Sequence, residues 1–177
     1  AQTKSFSIHK IAETKKIPLN NIADNFDTLE KEMLKEFFDF VKVHKDFKYI
    51  HWNMRDINYG FEALQHRANV LGVKNITEIS DNNKFDLARL LIDKYGKGYA
   101  SHPRLSSIIQ MNNISTNNWL NGKDEADAFD NKEFVKLHQS TLAKVDIFEN
   151  ILKLVAEEKF INKSSWQEIH GLSVQGV

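Results

Sequence analysis

Apolar residues recur at helical spacing through most of this chain and at strand spacing in only a few places. The clearest run is Leu29, Met33, Leu34, Phe37, Phe38 and Val41, which predicts a helix over 28–44 with its Phe-rich face in the core. Asp27 stands at its start with Glu30 three residues on, the spacing of an acidic capping box. Phe61, Leu64, Ala68 and Leu71 mark a second helix, capped by Asn58 and stopped by Gly72. Phe85, Leu87, Leu91, Ile92 and Tyr95 predict a third, ending at Gly96. Pro103 opens a fourth with Leu105, Ile108, Ile109 and Met111. Ser115 or Thr116 then caps a short turn bearing Trp119 and Leu120. The longest pattern runs from Phe134 through Leu137, Thr141, Leu142, Val145, Phe148 and Leu152 to Val155. It predicts a helix over 132–159, more than ~40 Å long if unbroken at Ser140-Thr141. Ser164 or Ser165 before Trp166 predicts one more turn.

Strand signals are fewer. The stretch 47–54, Phe47-Lys48-Tyr49-Ile50-His51-Trp52-Asn53-Met54, is dense in aromatic and β-branched residues and predicts the principal strand, central in its sheet. Its alternation sends Ile50, Trp52 and Met54 to one side, with Trp52 buried beside the 28–44 helix. Tyr49, His51 and Asn53 go to the other side. Weaker strand patterns lie over 4–12, where Phe6, Ile8 and Lys10 oppose Ser7, His9 and Ile11, and over 76–79. Ile17-Pro18-Leu19 reads as loop or edge strand, because Pro donates nothing to a ladder. No repeat and no linker interrupts the pattern, so the expectation is one domain over 1–177, mixed α/β and helix-rich.

Composition narrows the chemistry. Lys plus Arg equals Asp plus Glu at 24 each, a net charge of zero. Strong non-specific binding to nucleic acid feeds on excess positive charge, so only a local basic patch would support it here. The chain has no Cys, which removes disulfides, thiol catalysis and thiolate metal sites together and fits a reducing, cytoplasmic setting. No apolar run reaches the 18 residues that a membrane span needs, and the N-terminus has no signal-peptide core. The first residue is Ala1 rather than Met, as in a processed or excised piece.

Motifs for common chemistries are missing. There is no G-x-S-x-G, no P-loop and no G-x-G-x-x-G, and Gly96-Lys97-Gly98 reads as a helix C-cap and loop. The seven His at 9, 44, 51, 66, 102, 138 and 170 form no H-E-x-x-H pair, and Glu62 with His66 is surface electrostatics at i,i+4. The acidic stretch 123–130 lacks the alternate ligands and turn Gly of an EF-hand and reads as a solvated helix start. The densest polar segment is 51–59, where a strand ends and a helix begins. From it His51, Asn53, Arg55, Asp56 and Asn58 form a candidate site, because loops at strand ends carry function. The plain alternative is that these groups satisfy loop backbone and the helix start.

Taken together, 29–40 (Leu-Glu-Lys-Glu-Met-Leu-Lys-Glu-Phe-Phe-Asp-Phe), Tyr49-Ile50-His51-Trp52-Asn53, and Ala63-Leu64-Gln65-His66-Arg67-Ala68 with Leu71-Gly72 resemble part of a DEDD-type 3′–5′ exonuclease domain. In that family an acidic helix precedes a central strand ending in Asn, an Asp follows on the next helix, and Arg-Ala near Leu-Gly closes it. Lys84-Phe85-Asp86-Leu87 resembles the next segment, and Val145-Asp146-Ile147 is similar to the segment of the family's last metal-binding Asp. The resemblance spans 27–150. It implies an RNase H-like fold, a small sheet flanked by helices, with nucleic acid as partner and Mg²⁺ held by Asp86 and Asp146. The chain departs from the family at the opening strand, where Phe6-Ser7-Ile8-His9 has no Asp-x-Glu. It departs again at Asn58, which stands nearest the second signature Asp with Asp56 displaced, and at Thr141 or Leu142 in place of a His or Tyr. Two-metal cleavage needs converging carboxylates, so the resemblance implies a degenerate catalytic set, or one completed by residues outside this sequence.

The contrasting expectation is a helical protein-interaction or regulatory module without catalysis. An RNA-cleaving HEPN-type domain would need an Arg-x₄₋₆-His pair, which neither Arg89 nor Arg104 provides. Strand number separates the first two: three or more strands besides 47–54 favour the nuclease-like fold, one or none the helical module.

Overall fold

The computed structural model describes residues 4–54, 58 and 60–164. Its elements run α1 (Ile8–Thr14), α2 (Phe26–Val43), β1 (Tyr49–His51), α3 (Phe61–Val70), β2 (Lys84–Asp86), α4 (Leu87–Tyr95), α5 (Arg104–Met111), α6 (Gly122–Asp130) and α7 (Phe134–Ala156). Among the described residues the only sheet is the parallel pair β1·β2. No described helix is long and apolar enough to cross a membrane. The chain divides into two compact units, Ala1–Asp86 with Ala128–His138, and Leu87–Asp127 with Gln139–Val177.

The first unit is organised by α2. Its periodicity places Leu29, Leu34, Phe38 and Val41 in the interior, as expected, while Met33 and Phe37 are half-buried. One end of this face packs into a cluster with Ile11, Ala12 and Ile22, and the other into a cluster with Ala68 and Val73 of the α3 region. Asp27 and Glu30 do not form a capping box. The N-cap is Asn25, without a side-chain cap bond, and the two acids instead receive the Arg67 guanidinium of α3, whose Nε lies 2.7 Å from Glu30 Oε2. A planar guanidinium serves two carboxylates at once and links the edges of α2 and α3, whose packing is set by the buried cluster beneath.

Helix α3 ends in a Schellman motif, with Gly72 at φ 71° and bonds from Gly72 N–H to Asn69 O and Val73 N–H to Ala68 O. Four more helices end with the same pair of bonds but without glycine. Lys16, Asn113, Lys132 and Glu158 take the left-handed position after α1, α5, α6 and α7.

Several expected elements differ. Residues 4–7 are irregular and 8–14 are helical, because Ile8, Ile11 and Ala12 sit at i, i+3 and i+4 and bury one helical face. Residues 76–79 form no strand. The principal strand covers three residues, with one neighbour, so it is not central. Its phase is also reversed: Ile50 is exposed, His51 is buried and Trp52 is only half-buried. Phe85 belongs to β2 rather than to the helix that follows. Helix α7 spans 23 residues, about 35 Å, and continues unbroken through Ser140-Thr141. Helix α3 starts after Gly60, so Asn58 is not its cap. The turn expected at 164–166 lies outside the described residues from 165 onward.

In the second unit Leu87, Leu91, Tyr95, Tyr99, Ile108, Ile147 and Ile151 are buried. The 160–164 segment is fastened to it by side chains acting as backbone mimics. Asn112 Nδ2 donates to Ile161 O (3.0 Å), its Oδ1 accepts Ile161 N–H (2.8 Å), and Phe160 stacks on Tyr95 at 5.2 Å.

In the first unit, His9 of α1 lies with its ring 4.7 Å from that of His138, and His9 is 6% exposed. Burial lowers both pKa values below 6.5. For His9, Glu13 partly offsets the burial and Lys10 adds to it; for His138, the neighbouring His9 lowers the value further. The unfolded chain therefore takes up protons first as pH falls, and the stability these two rings confer is complete above about pH 6.5 and declines below it, levelling once both rings charge in the folded state. Urea unfolding should show lower stability at pH 5.5 than at pH 7.5, with a flatter profile in His138→Gln. Phe38→Ala, removing a ring that is 6% exposed, should cost about 3–5 kcal/mol in the same assay, against a much smaller loss for Phe37→Ala.

Candidate functional site

Because β1 and β2 are parallel, with His51 opposite Asp86, both strands end on the same side. The backbone leaving β1 turns sharply there, with Asn53 in the left-handed region at φ 55°, a conformation that Asn tolerates. The turn is held by the two side chains that end the strands. Asn53 N–H donates to Asp86 Oδ1 at 3.2 Å, and Met54 N–H donates to His51 Nδ1 at 3.2 Å. An Nδ1 that accepts a hydrogen bond places the proton of the neutral ring on Nε2. Asp86 is 9% exposed and His51 5%. Phe61, at the start of α3, meets the His51 ring edge-on at 5.3 Å.

A cleft of ≈ 250 Å³ opens over these groups, lined by His51, Met54, Phe61, Glu62, Asp81, Lys84 and Asp86. The Lys84 amine lies 5.7 Å from the Phe61 ring centre and bonds Asp81 Oδ1 at 2.7 Å. The cleft thus combines one imidazole, one ammonium and three carboxylates with an aromatic wall. Such a set can hold a small polar or cationic group through hydrogen bonds and charge.

The chain matches no protein family, no curated protein and no solved structure. The cleft must therefore be read from its own chemistry.

Of the sequence candidates, His51 lies in the cleft, and Asn53 supports it through its backbone N–H while remaining exposed. Asn58 is exposed, and Arg55 and Asp56 lie outside the described residues. Asp86, expected as a metal ligand, reaches the end of β1. Asp146 is an exposed residue of α7 and lines a cleft of ≈ 440 Å³ in the second unit with Ser115, Asn117, Glu149, Asn150 and Lys153. Among the described residues no three His, Asp or Glu side chains are grouped so as to hold a metal ion. Sequence reasoning missed Glu62, Asp81 and Lys84. Their only local signal was the polar spacing of Asp81, Lys84 and Asp86 around an apolar Phe85, which the helical pattern after it concealed.

A second polar cluster lies in the second unit. Ser140, fully buried, donates to Glu125 Oε1 (2.8 Å) and accepts Leu120 N–H (3.1 Å), and Lys144 meets Glu125 Oε2 at 2.6 Å. The Ser140 hydroxyl has its proton committed to a carboxylate and no access to solvent, so its work is to fasten α6 to α7 rather than to attack a substrate.

Removing the Asp86 carboxylate leaves the Asn53 N–H without its acceptor inside a part-buried turn. Asp86→Ala should lower stability by about 1–3 kcal/mol in chemical denaturation. Asp86→Asn, whose amide oxygen can still accept, should lose less.

Proposed function

We propose that this chain is a helix-built interaction or regulatory module without catalytic activity. The observation that carries the reading is the sheet: β1 has a single strand partner among the described residues, while seven α-helices make up most of the remainder. A nuclease of RNase H-like architecture rests its carboxylates on a larger sheet, whose strands fix them within ligating distance of two metal ions about 3.5–4 Å apart. A pair of three-residue strands supplies two acidic or imidazole positions at its end, His51 and Asp86.

One observation favours the second reading, a nucleic-acid-associated domain related to DEDD-type exonucleases with a degenerate catalytic set. Asp86 accepts a hydrogen bond from the strand exit at Asn53, 33 residues away in sequence, so its carboxylate lies beside that exit, as the relationship asks of Asp86 or Asp146. In this reading Asp86 would contribute to Mg²⁺ binding beside His51.

Calorimetric titration with Mg²⁺ and Mn²⁺, alongside assays on single-stranded and duplex oligonucleotides, separates the two. The interaction module leaves both substrates intact at every metal concentration. Oligonucleotide binding without cleavage, with Mg²⁺ uptake that is lost in Asp86→Asn, would overturn it in favour of the second reading, and metal-dependent cleavage would overturn both.

A further inference from the structure

Large exposed apolar side chains are scattered singly over most protein surfaces. Here one eight-residue stretch, at the end of α2 and into β1, carries three: Val43 at 77% exposure, Phe47 at 59% and Ile50 at 43%. We infer that this stretch is a docking surface for an acidic, amphipathic segment of a partner protein. The inference rests on the interaction-module reading and names its surface and the partner's chemistry.

The surface is built rather than merely uncovered. The Phe47 ring meets His44 at 4.7 Å, and His44 lies against Phe40 at 4.1 Å. His44 Nδ1 is 2.8 Å from Phe40 O, while His44 O accepts both Phe47 N–H (2.9 Å) and Tyr49 Oη–H (3.0 Å). An aromatic side chain fixed in place before binding loses little entropy on contact, the property of an interface anchor.

Charge complementarity chooses the partner. Lys42 and Lys45 are exposed beside Val43 and Phe47, and Lys48 follows, its amine held by Asn83 Oδ1 at 2.7 Å. Asp46 is the only acid between 42 and 50, and the nearest acid before them, Asp39, is paired with Lys35 at 2.8 Å. An exposed segment that alternates apolar Val43, Phe47 and Ile50 with Lys42, Lys45 and Lys48 fits a helix or strand that presents aliphatic or aromatic side chains flanked by Asp and Glu. Phe47 is the one exposed aromatic ring of the stretch, a single stacking position rather than the series that tracks a strand, and zero net charge gives the chain no long-range pull on a polyanion.

The test is selection of a random displayed peptide library on the full chain, followed by anisotropy titrations of the selected peptides. Oligothymidine and phosphatidylserine vesicles are assayed alongside. Enriched peptides should combine Asp or Glu with Leu, Ile or aromatic residues. Phe47→Ala, and separately Lys42→Glu with Lys45→Glu, should weaken them about tenfold or more, with melting temperatures unchanged because these side chains are exposed. Failure to enrich any peptide, enrichment of peptides without acids, or equal binding by the variants would overturn the inference. So would oligothymidine or vesicle binding that Phe47→Ala abolishes, which would assign the surface to nucleic acid or lipid. Peptides selected elsewhere on the molecule would sink this surface and leave the interaction-module reading standing, whereas metal-dependent cleavage would sink that reading.

Discussion

Burial of one face of α2 is the constraint on which the first unit depends. Leu29 anchors it to α1 and the turn at Ile22, Leu34 and Phe38 anchor it to α3, and Met33 packs against both clusters. The candidate cleft inherits its geometry from this face. Phe37 and Phe38 border a small void of ≈ 30 Å³ together with Phe61, and the Phe61 ring in turn meets His51. Phe61 is thus shared between the contact with His51 and the void beside α2. Arg67 adds a polar contact between the two helices, reaching Asp27 and Glu30 at the edge of the packed face.

The strand pair is too short to be a scaffold by itself; two three-residue strands need packing against helices to persist in water. Polar ends compensate for that brevity. His51 and Asp86 each accept a backbone N–H from the turn that leaves β1, so the same groups that line the cleft also hold its rim. Side chains occupied in this way can still bind a ligand, but any chemistry at the cleft has to proceed without breaking the turn. The exposed stretch from Val43 to Ile50 has no such burden. Its anchor, Phe47, is held by bonds behind it and leaves its apolar surface open.

Helix termini show how much local sequence conceals. Gly72 and Gly96 take positive φ and were readable as stops, since glycine adopts the left-handed conformation without steric penalty. Lys16, Asn113, Lys132 and Glu158 occupy the same position after four other helices. Lys and Glu carry no signal for that conformation, and packing selects it: Ile17 follows Lys16 and joins the first core cluster. The candidate site was partly legible for a related reason. His51 and Asn53 stood out as polar residues at a strand end, and Asp86 through the resemblance of its segment. Lys84 and Asp81 became part of the site only when β2 paired with β1.

The inward face of α2 and the extent of the long helices were determined by the sequence alone, because a repeat near 3.6 residues is a property of neighbours along the chain. The interior positions of α2, the stop at Gly72 and the course of α7 all follow from that. On α7, however, the expected Thr141 and Val145 are exposed, and Ser140, Ile147 and Ile151 are buried instead. Tertiary structure decided the rest. Three residues of strand contain too little alternation to say which side is inward, and Tyr49-Ile50-His51 was settled by partners 35 residues away: Phe85 opposite Ile50 and Asp86 opposite His51. A buried imidazole is tolerable there because the turn supplies an N–H to Nδ1 and Phe61 supplies an apolar wall. Ile50, the residue that hydropathy alone would bury, faces outward.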